Sequence, residues 1–238
     1  SELCIQATPF RPQPVVLSER EDNSPYNDHL HIESRYTCVS RVIAVADVMD
    51  RHRIEHIFSR YRPDVVFHAA AHKHVPLMEK TPYEAFVNNV IGTLNVARAA
   101  EMVQTSVFIL ISTDKAVKPK SVMGATKRAA EMIVQEFNRN STTRYSAVRF
   151  GNVLGSRGSV VPLFKKQIAR GGPVTVTDPE MVRYFMTVSE AAQLVMQAGA
   201  LVRVVEILLL DMSEPVRIAD LARDLINLSG CRPDLDIP

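Results

Sequence analysis

The feature that most constrains this chain is a repeated alternation of short apolar runs and amphipathic stretches. Val15-Val16-Leu17, Val42-Ile43-Ala44-Val45, Val65-Val66-Phe67, Val107-Phe108-Ile109-Leu110-Ile111 and Ser146-Ala147-Val148-Arg149-Phe150 read as strands. Several are apolar throughout rather than in alternation, the pattern of strands covered on both faces. Between them, Arg51 to Tyr61 places Ile54, Ile57, Phe58 and Tyr61 on one helical face, and Pro82 to Met102 and Thr126 to Asn138 are further helical patterns. Strands separated by helices define βαβ units. The predicted fold class is α/β, a doubly wound and mostly parallel sheet, with its main domain over residues 1–150. After Gly151 the pattern loosens. Helical patterns over Val160 to Arg170, Ser189 to Ala198 and Ile218 to Leu228, the last stopped by Gly230, alternate with extended pieces at Val174 to Val176 and Glu206 to Leu210. Residues 151–238 are therefore expected to form a small C-terminal lobe interleaved with the end of the sheet.

Composition removes several function classes. The 238 residues carry 28 basic and 26 acidic side chains, a formal net charge of +2, with no concentrated basic stripe. Nucleic-acid binding is not expected on that balance. No apolar run reaches the roughly 18 residues of a membrane span, and no secretory leader pattern opens the chain. Cys4, Cys38 and Cys231 are isolated from one another. That usage fits a reducing compartment, so a cytoplasmic segment without membrane contact is expected.

In an open parallel sheet, ligands gather beyond the C-terminal ends of the strands. The residues that follow each strand are thus the candidates. After the first come Glu19 and Arg20, a carboxylate suited to a ribose diol and a guanidinium suited to a 2'-phosphate, or else a solvated charged loop. After the second comes Asp47, either an acceptor for an adenine amino group or a helix cap, a task for which Asp50 is better placed. After the third, His68 is followed by Ala69, Ala70, Ala71, His72, Lys73 and His74, where small residues allow close approach of a bound group. These histidines, and the His52/His56 pair, lack Cys or acidic partners at ligand spacing, so no metal is expected. After the fourth come Ser112, Thr113, Asp114 and Lys115, which bring a hydroxyl, a carboxylate and an amine to one strand end. They suit proton transfer, the plain alternative being a helix cap with a surface ion pair. Lys127 lies four residues after Met123 on the next helical face. After the fifth come Arg149 and Asn152. With Arg157, Arg183 and Arg217, Arg149 completes a set of guanidinium groups suited to a diphosphate.

Longer stretches carry a family likeness: PDVVFHAAAHKHVPLME (63–79), NNVIGTLNVARAA (88–100), ISTDKAVKPKSVMGATKRAAE (111–131), VRFGNVLGSRGSVVPLF (148–164) and VRYFMTVSEA (182–191). On these the chain resembles the extended short-chain dehydrogenases/reductases that act on nucleotide sugars. More narrowly, it resembles the CapD-like polysaccharide-biosynthesis group, the inverting UDP-N-acetylglucosamine 4,6-dehydratases. The resemblance implies a Rossmann-like domain over 1–150 that binds NAD or NADP, and a UDP-sugar lobe over 151–238. The wider superfamily places a Tyr where this chain has Met123, and a thioether cannot exchange a proton. Long, membrane-anchored members of the dehydratase group also carry Met there. The resemblance therefore assigns catalysis to Thr113, Asp114 and Lys115. It assigns the cofactor to Glu19, Arg20, Asp47, Ala69, Ala70, Lys73, Asn88 and Lys127, with Lys127 on a ribose, and the UDP-sugar to Asn152 and Arg183. Ala46 stands where the group usually has Gly.

The implied reaction has three parts. Hydride leaves sugar C4 for NAD(P)+ while Asp114, aided by Thr113, takes the hydroxyl proton. Lys115 removes the C5 proton, and water departs from C6. The hydride returns to C6, giving a 4-keto-6-deoxy sugar inverted at C5. The rival readings are an NDP-sugar epimerase on the same fold and a non-catalytic NAD(P)-binding scaffold. The resemblance also implies an opening strand with a Gly-rich turn before Ser1 and more substrate lobe after Pro238. Full-length relatives further suggest a membrane anchor elsewhere in the protein, and a homo-oligomer is the expected assembly.

Overall fold

The apolar runs become parallel strands. The computed structural model describes residues 2–10, 12, 14–20, 40–156, 158–202, 207–212 and 214–234. Cys38, Arg157 and the Glu206 start of the last expected strand lie outside that set. Strands β1 (Val15–Glu19) and β2 (Arg41–Val45) pair in parallel. Strands β3 (Val65–His68), β4 (Val107–Ile111), β5 (Arg144–Arg149) and β9 (Ile207–Leu209) form a parallel sheet in the order β3-β4-β5-β9. Four short strands lie outside these sheets. β6 (Asn152–Val153) pairs with β8 (Phe185–Met186), and β7 (Val182–Arg183) pairs antiparallel with β10 (Val216–Arg217). Two-residue strands leave no periodicity to read, and the sequence did not foretell them.

The helices are α1 (Glu2–Ala7), α2 (Arg51–Tyr61), α3 (Val75–Lys80), α4 (Pro82–Phe86), α5 (Gly92–Met102), α6 (Val122–Asn140), α7 (Val160–Ile168), α8 (Val188–Leu201) and α9 (Ile218–Leu228). Helix α2 keeps the bounds its periodicity predicts. Asp50 caps it, Oδ1 accepting from the Arg53 N–H at 3.0 Å, and Arg62 ends it at φ 41°. The helical pattern over 82–102 is present but contains a π turn, Val87–Ile91, between α4 and α5. Helix α6 starts four residues before the expected Thr126, because Ser121 Oγ accepts from the Gly124 N–H at 3.1 Å and supplies an N-cap. Val174 to Val176 does not join a sheet; Val174 and Val176 pack beside Phe164, Ile218 and Ala222.

The chain divides into two units, Ser1–Arg149 with Ala192–Leu210, and Phe150–Ala191 with Asp211–Pro238. In the first, Phe108, Ile109 and Leu110 of β4 have no solvent exposure. Phe108 packs on Tyr145 with ring centroids 5.1 Å apart, and Tyr145 on Phe137 at 5.5 Å. Ala97, Ala99 and Ala100 are also fully buried, so α5 meets this core through small side chains. The Tyr145 hydroxyl donates to the Ala97 carbonyl at 2.9 Å, which satisfies the one polar atom the ring carries inward. In the second unit, Phe164 of α7 packs against Ile218 and Ala222 of α9. Among the described residues no helix is long and apolar enough to cross a membrane. Phe108→Ala leaves a cavity between β4 and Tyr145. It should cost about 3–5 kcal/mol, read as a lowered urea midpoint with an unchanged m-value.

Candidate active site

The strongest sequence candidate lies where β4 ends. The Ser112 N–H still donates to the Val148 carbonyl at 2.7 Å, so the chain is held in the sheet one residue past Ile111. Thr113 then caps a single 3-10 turn, Asp114–Ala116, its Oγ1 accepting from the Lys115 N–H at 3.3 Å. The same hydroxyl donates to Asp114 Oδ1 at 2.8 Å, and Lys115 Nζ donates to that oxygen at 3.0 Å. The cap and the ion pair of the plain reading are thus both present. Asp114 and Lys115 side chains are 42% and 36% exposed, and a pair so open to water adds about 0–1 kcal/mol. Stability gives little reason for this cluster. Its chemistry is a carboxylate oxygen shared by a hydroxyl and an ammonium, a short path for protons.

Helix α6 backs the turn. A Cβ on Gly124 would sit 2.4 Å from the Lys115 carbonyl oxygen, so only glycine lets the helix approach this closely. Lys127 is buried and donates to the Ile111 carbonyl at 2.5 Å. Burial pushes its pKa down to about 8, with Glu131 pulling the other way. Met123 offers no proton-exchanging group here. It is 4% exposed and packs with Met78, Ala85, Val75 and Val122.

At the end of β3, His68 is buried with Nε2 3.0 Å from Thr93 Oγ1. The Thr93 hydroxyl spends its proton on the Asn89 carbonyl at 2.7 Å, so it accepts from His68, and Nε2 carries the hydrogen. Burial, reinforced by the Lys127 charge, pushes the His68 pKa down to about 3. Ala69, Ala70 and Lys73 follow, all exposed. Asn89 clamps this loop. Its Oδ1 accepts from the His72 N–H at 2.7 Å, and its Nδ2 donates to the His72 carbonyl at 3.1 Å and to Thr126 Oγ1 at 3.0 Å. Asn88, expected beside a cofactor, is buried, and its Nδ2 donates to Asn89 Oδ1 at 2.9 Å. The available signal for Asn89 was an Asn-Asn pair inside a helical pattern, where Asn is a poor helix former.

Arg20 and Asp47 meet beyond β1 and β2, with Nε 3.2 Å from Oδ2. The Ala46 N–H donates to the Glu19 carbonyl at 3.0 Å, holding the two strand ends together. Asp47 Oδ1 accepts from the Met49 N–H at 2.9 Å and shapes its own turn, while Asp50 caps the helix as expected. Of the residues expected to meet a sugar, the second unit holds Asn152, whose N–H donates to the Tyr184 carbonyl at 3.0 Å, and Arg183, whose Nη1 donates to the Val182 carbonyl at 2.8 Å.

The arginine set needs correcting. Arg149 lies in the first unit and grips Glu131 with Nε and Nη2 at 2.7 and 2.6 Å, and Arg217 pairs with Glu180 at 2.5 Å. Neither guanidinium is left for a diphosphate without breaking an ion pair. Among the described residues no three His, Cys, Asp or Glu side chains come together as metal ligands.

A parallel sheet with helical crossovers and polar groups along its C-terminal edge is an α/β, Rossmann-like fold. Within that class the assignment is specific. Residues 1–238 match the family described as "Polysaccharide biosynthesis protein", and the chain belongs to it. It is 55% identical over 232 residues to the capsular polysaccharide biosynthesis protein CapD of Staphylococcus aureus, covering 97% of this chain but 39% of that protein's length. It is 34% identical over 191 residues to an inverting UDP-N-acetylglucosamine 4,6-dehydratase of Campylobacter jejuni, covering 79% of this chain and 55% of the other. It is 42% identical over 138 residues to a UDP-glucose 4-epimerase of Rickettsia bellii, covering 57% and 40%. The solved structure of Pen from Bacillus thuringiensis superimposes with a TM-score of 0.89 at 30% identity, over 99% of this chain and 74% of that one.

Two outcomes follow from this packing. Gly124→Ala should destabilise the fold by about 1–3 kcal/mol, although Ala is the better helix former by about 1 kcal/mol. Urea unfolding measures the loss, and amide shifts at Lys115 to Val117 locate it. His68 has a folded pKa near 3 against 6.5 unfolded, so its contribution is complete above pH 6.5 and is lost as pH falls toward 3. That loss should reach up to about 5 kcal/mol. Unfolding free energies measured from pH 7 to 4 should fall steeply, and His68→Gln should flatten the slope.

Proposed function

We propose that this chain carries the acid–base centre of a nucleotide-sugar 4,6-dehydratase that converts UDP-N-acetylglucosamine to a UDP-4-keto-6-deoxy sugar with inversion at C5. The observation that supports it most is Asp114 Oδ1, held 2.8 Å from the Thr113 hydroxyl and 3.0 Å from the Lys115 ammonium at the open end of β4. The dehydratase of Campylobacter jejuni, at 34% identity, favours the same reading. The first unit would hold NAD or NADP, and the second the UDP-sugar through Asn152 and Arg183.

The residues present fit a dinucleotide. Arg20 and Asp47 stand beyond β1 and β2 for the adenosine end, and Glu19 shares that edge. Ala69 and Ala70 expose a strand end without bulk, with Lys73 beside them. Lys127 offers a buried ammonium already turned to the β4 end. Asn88 would contribute through the backbone, since its side chain is committed to Asn89. When bound, the nicotinamide supplies a reversible hydride acceptor.

The chain's own groups move the protons. Asp114, steadied by Thr113, takes the proton of the C4 hydroxyl. Lys115, after releasing to solvent the proton that pairs it with Asp114, takes the proton from C5, which a 4-keto group acidifies. Asp114 returns its proton to the hydroxyl leaving C6, so water departs and this carboxylate consumes no net proton; once C6 is reduced, C5 takes a solvent proton on the face opposite Lys115, which gives its own proton to water.

The test uses the full-length protein with UDP-N-acetylglucosamine in D2O. A 4-keto-6-deoxy product with deuterium at C5 is expected. Inversion at C4 without loss of water, the outcome for an epimerase, would overturn the reading. Lys115→Ala should lower turnover by at least about 10²-fold while leaving NAD(P) affinity within twofold.

A further inference from the structure

Glu131 has no role in the proton path, yet its carboxylate accepts four hydrogen bonds close behind it. It lies on α6, four residues after Lys127, and has no solvent exposure. Its Oε1 accepts from Ser112 Oγ at 2.6 Å and Arg149 Nε at 2.7 Å. Its Oε2 accepts from Arg149 Nη2 at 2.6 Å and Arg128 Nη1 at 3.0 Å. One carboxylate thereby ties the end of β4, the end of β5 and the middle of α6. Burying a carboxylate is expensive unless every lone pair is matched, and an apolar side chain would fill the same space at less cost. A buried charge kept at this point calls for a reason beyond packing.

We propose that Glu131 is a positioning residue of the site, a buried carboxylate that fixes the Ser112–Lys115 turn against Lys127. Two consequences follow from the geometry. Ser112 is the last residue held in the sheet before Thr113 and Asp114, so its bond to Glu131 sets where the turn begins. The Lys127 ammonium reaches the Ile111 carbonyl one residue earlier, so both tethers act on the same stretch of β4.

Glu131 also governs the charge of Lys127. The titratable groups facing Lys127 are Glu131 from its own helix and His68 from β3; the turn brings Asp114 and Lys115, whose charges pair with each other. His68 is neutral near pH 7, and burial pulls Lys127 toward its uncharged form. Glu131 is the group that opposes this. Burial resists the ionisation of Glu131 itself, but hydrogen bonds from Arg149, Ser112 and Arg128 outweigh it and hold the carboxyl below its usual range. Arg149 is raised in turn, chiefly by the same hydrogen bonds.

The inference uses the reading of Lys127 as a dinucleotide contact, but its test does not depend on that reading. The Cε signal of Lys127, assigned by its loss in Lys127→Met, is titrated by 13C NMR. In the wild type it should titrate near pH 8. In Glu131→Gln it should move down by at least about one pH unit, and in Glu131→Asp by less. An unmoved titration in Glu131→Gln overturns the proposal.

Breaking a buried pair is destabilising, so a milder variant carries the test if Glu131→Gln does not fold. Ser112→Ala keeps the carboxylate and both arginines. It should leave the Lys127 titration in place and speed hydrogen exchange of the Ala116 and Val117 amides, which close the turn, by tenfold or more. Unchanged exchange overturns the proposal. A wild-type Lys127 signal that ignores added NAD and NADP would instead count against the dinucleotide reading, and leaves the Glu131 results to be judged as stated.

Discussion

Strand β4 has hydrogen-bonded neighbours on both edges and no exposed side chain from Val107 to Leu110 beyond 5%. A strand with no wet face can exist only if helices cover the sheet above and below. With parallel neighbours on both sides, each connection must cross over the sheet and return. The crossovers bring the C-terminal ends of β3, β4 and β5 to one edge. That edge is where the chain first becomes free to place polar side chains, and it holds Thr113, Asp114, Lys115 and the loop after His68. The location of the candidate chemistry is thus a consequence of how β4 is buried.

A second layer of constraint lies just behind that edge. His68, Asn89, Thr93, Ser112, Thr126, Lys127 and Glu131 are all buried, and each has a hydrogen-bond partner. Polar groups in a low-dielectric interior hold one arrangement strongly, because every alternative leaves a donor or acceptor unmatched. The exposed cluster in front needs such a backing. The Asp114–Lys115 pair gains little from its own attraction in water, so its position is inherited from Ser112 and Gly124.

The strands and helices that build this edge were readable in advance because they are periodic. Helix α2 and strand β4 match their expected bounds, and Asp50 caps where its position next to the periodic face indicated. The Thr113–Lys115 run was legible as well, since three chemical types follow one apolar strand without interruption. Met123 was legible only in part. Its spacing to Lys127 was visible, but not its burial against Met78 and Ala85. Arg149 misled, because an arginine after a strand looks the same whether it serves a ligand or a buried carboxylate. Asn89 was legible only as half of an Asn-Asn pair: adjacent residues in a helical pattern point in different directions, and the packing around the π turn decides which of them meets His72.

The amino-acid sequence by itself determined the βαβ order, the parallel sheet and the place of the proton-exchanging run, since each depends on residues close together in the chain. Only the tertiary structure decided that Glu131 joins Ser112 and Arg149, 19 and 18 residues away, and that Asn89 joins His72 and Thr126, 17 and 37 residues away. Periodicity records which side of an element faces the core. It carries no record of which buried donor meets which buried acceptor, and that matching is settled only when the elements pack.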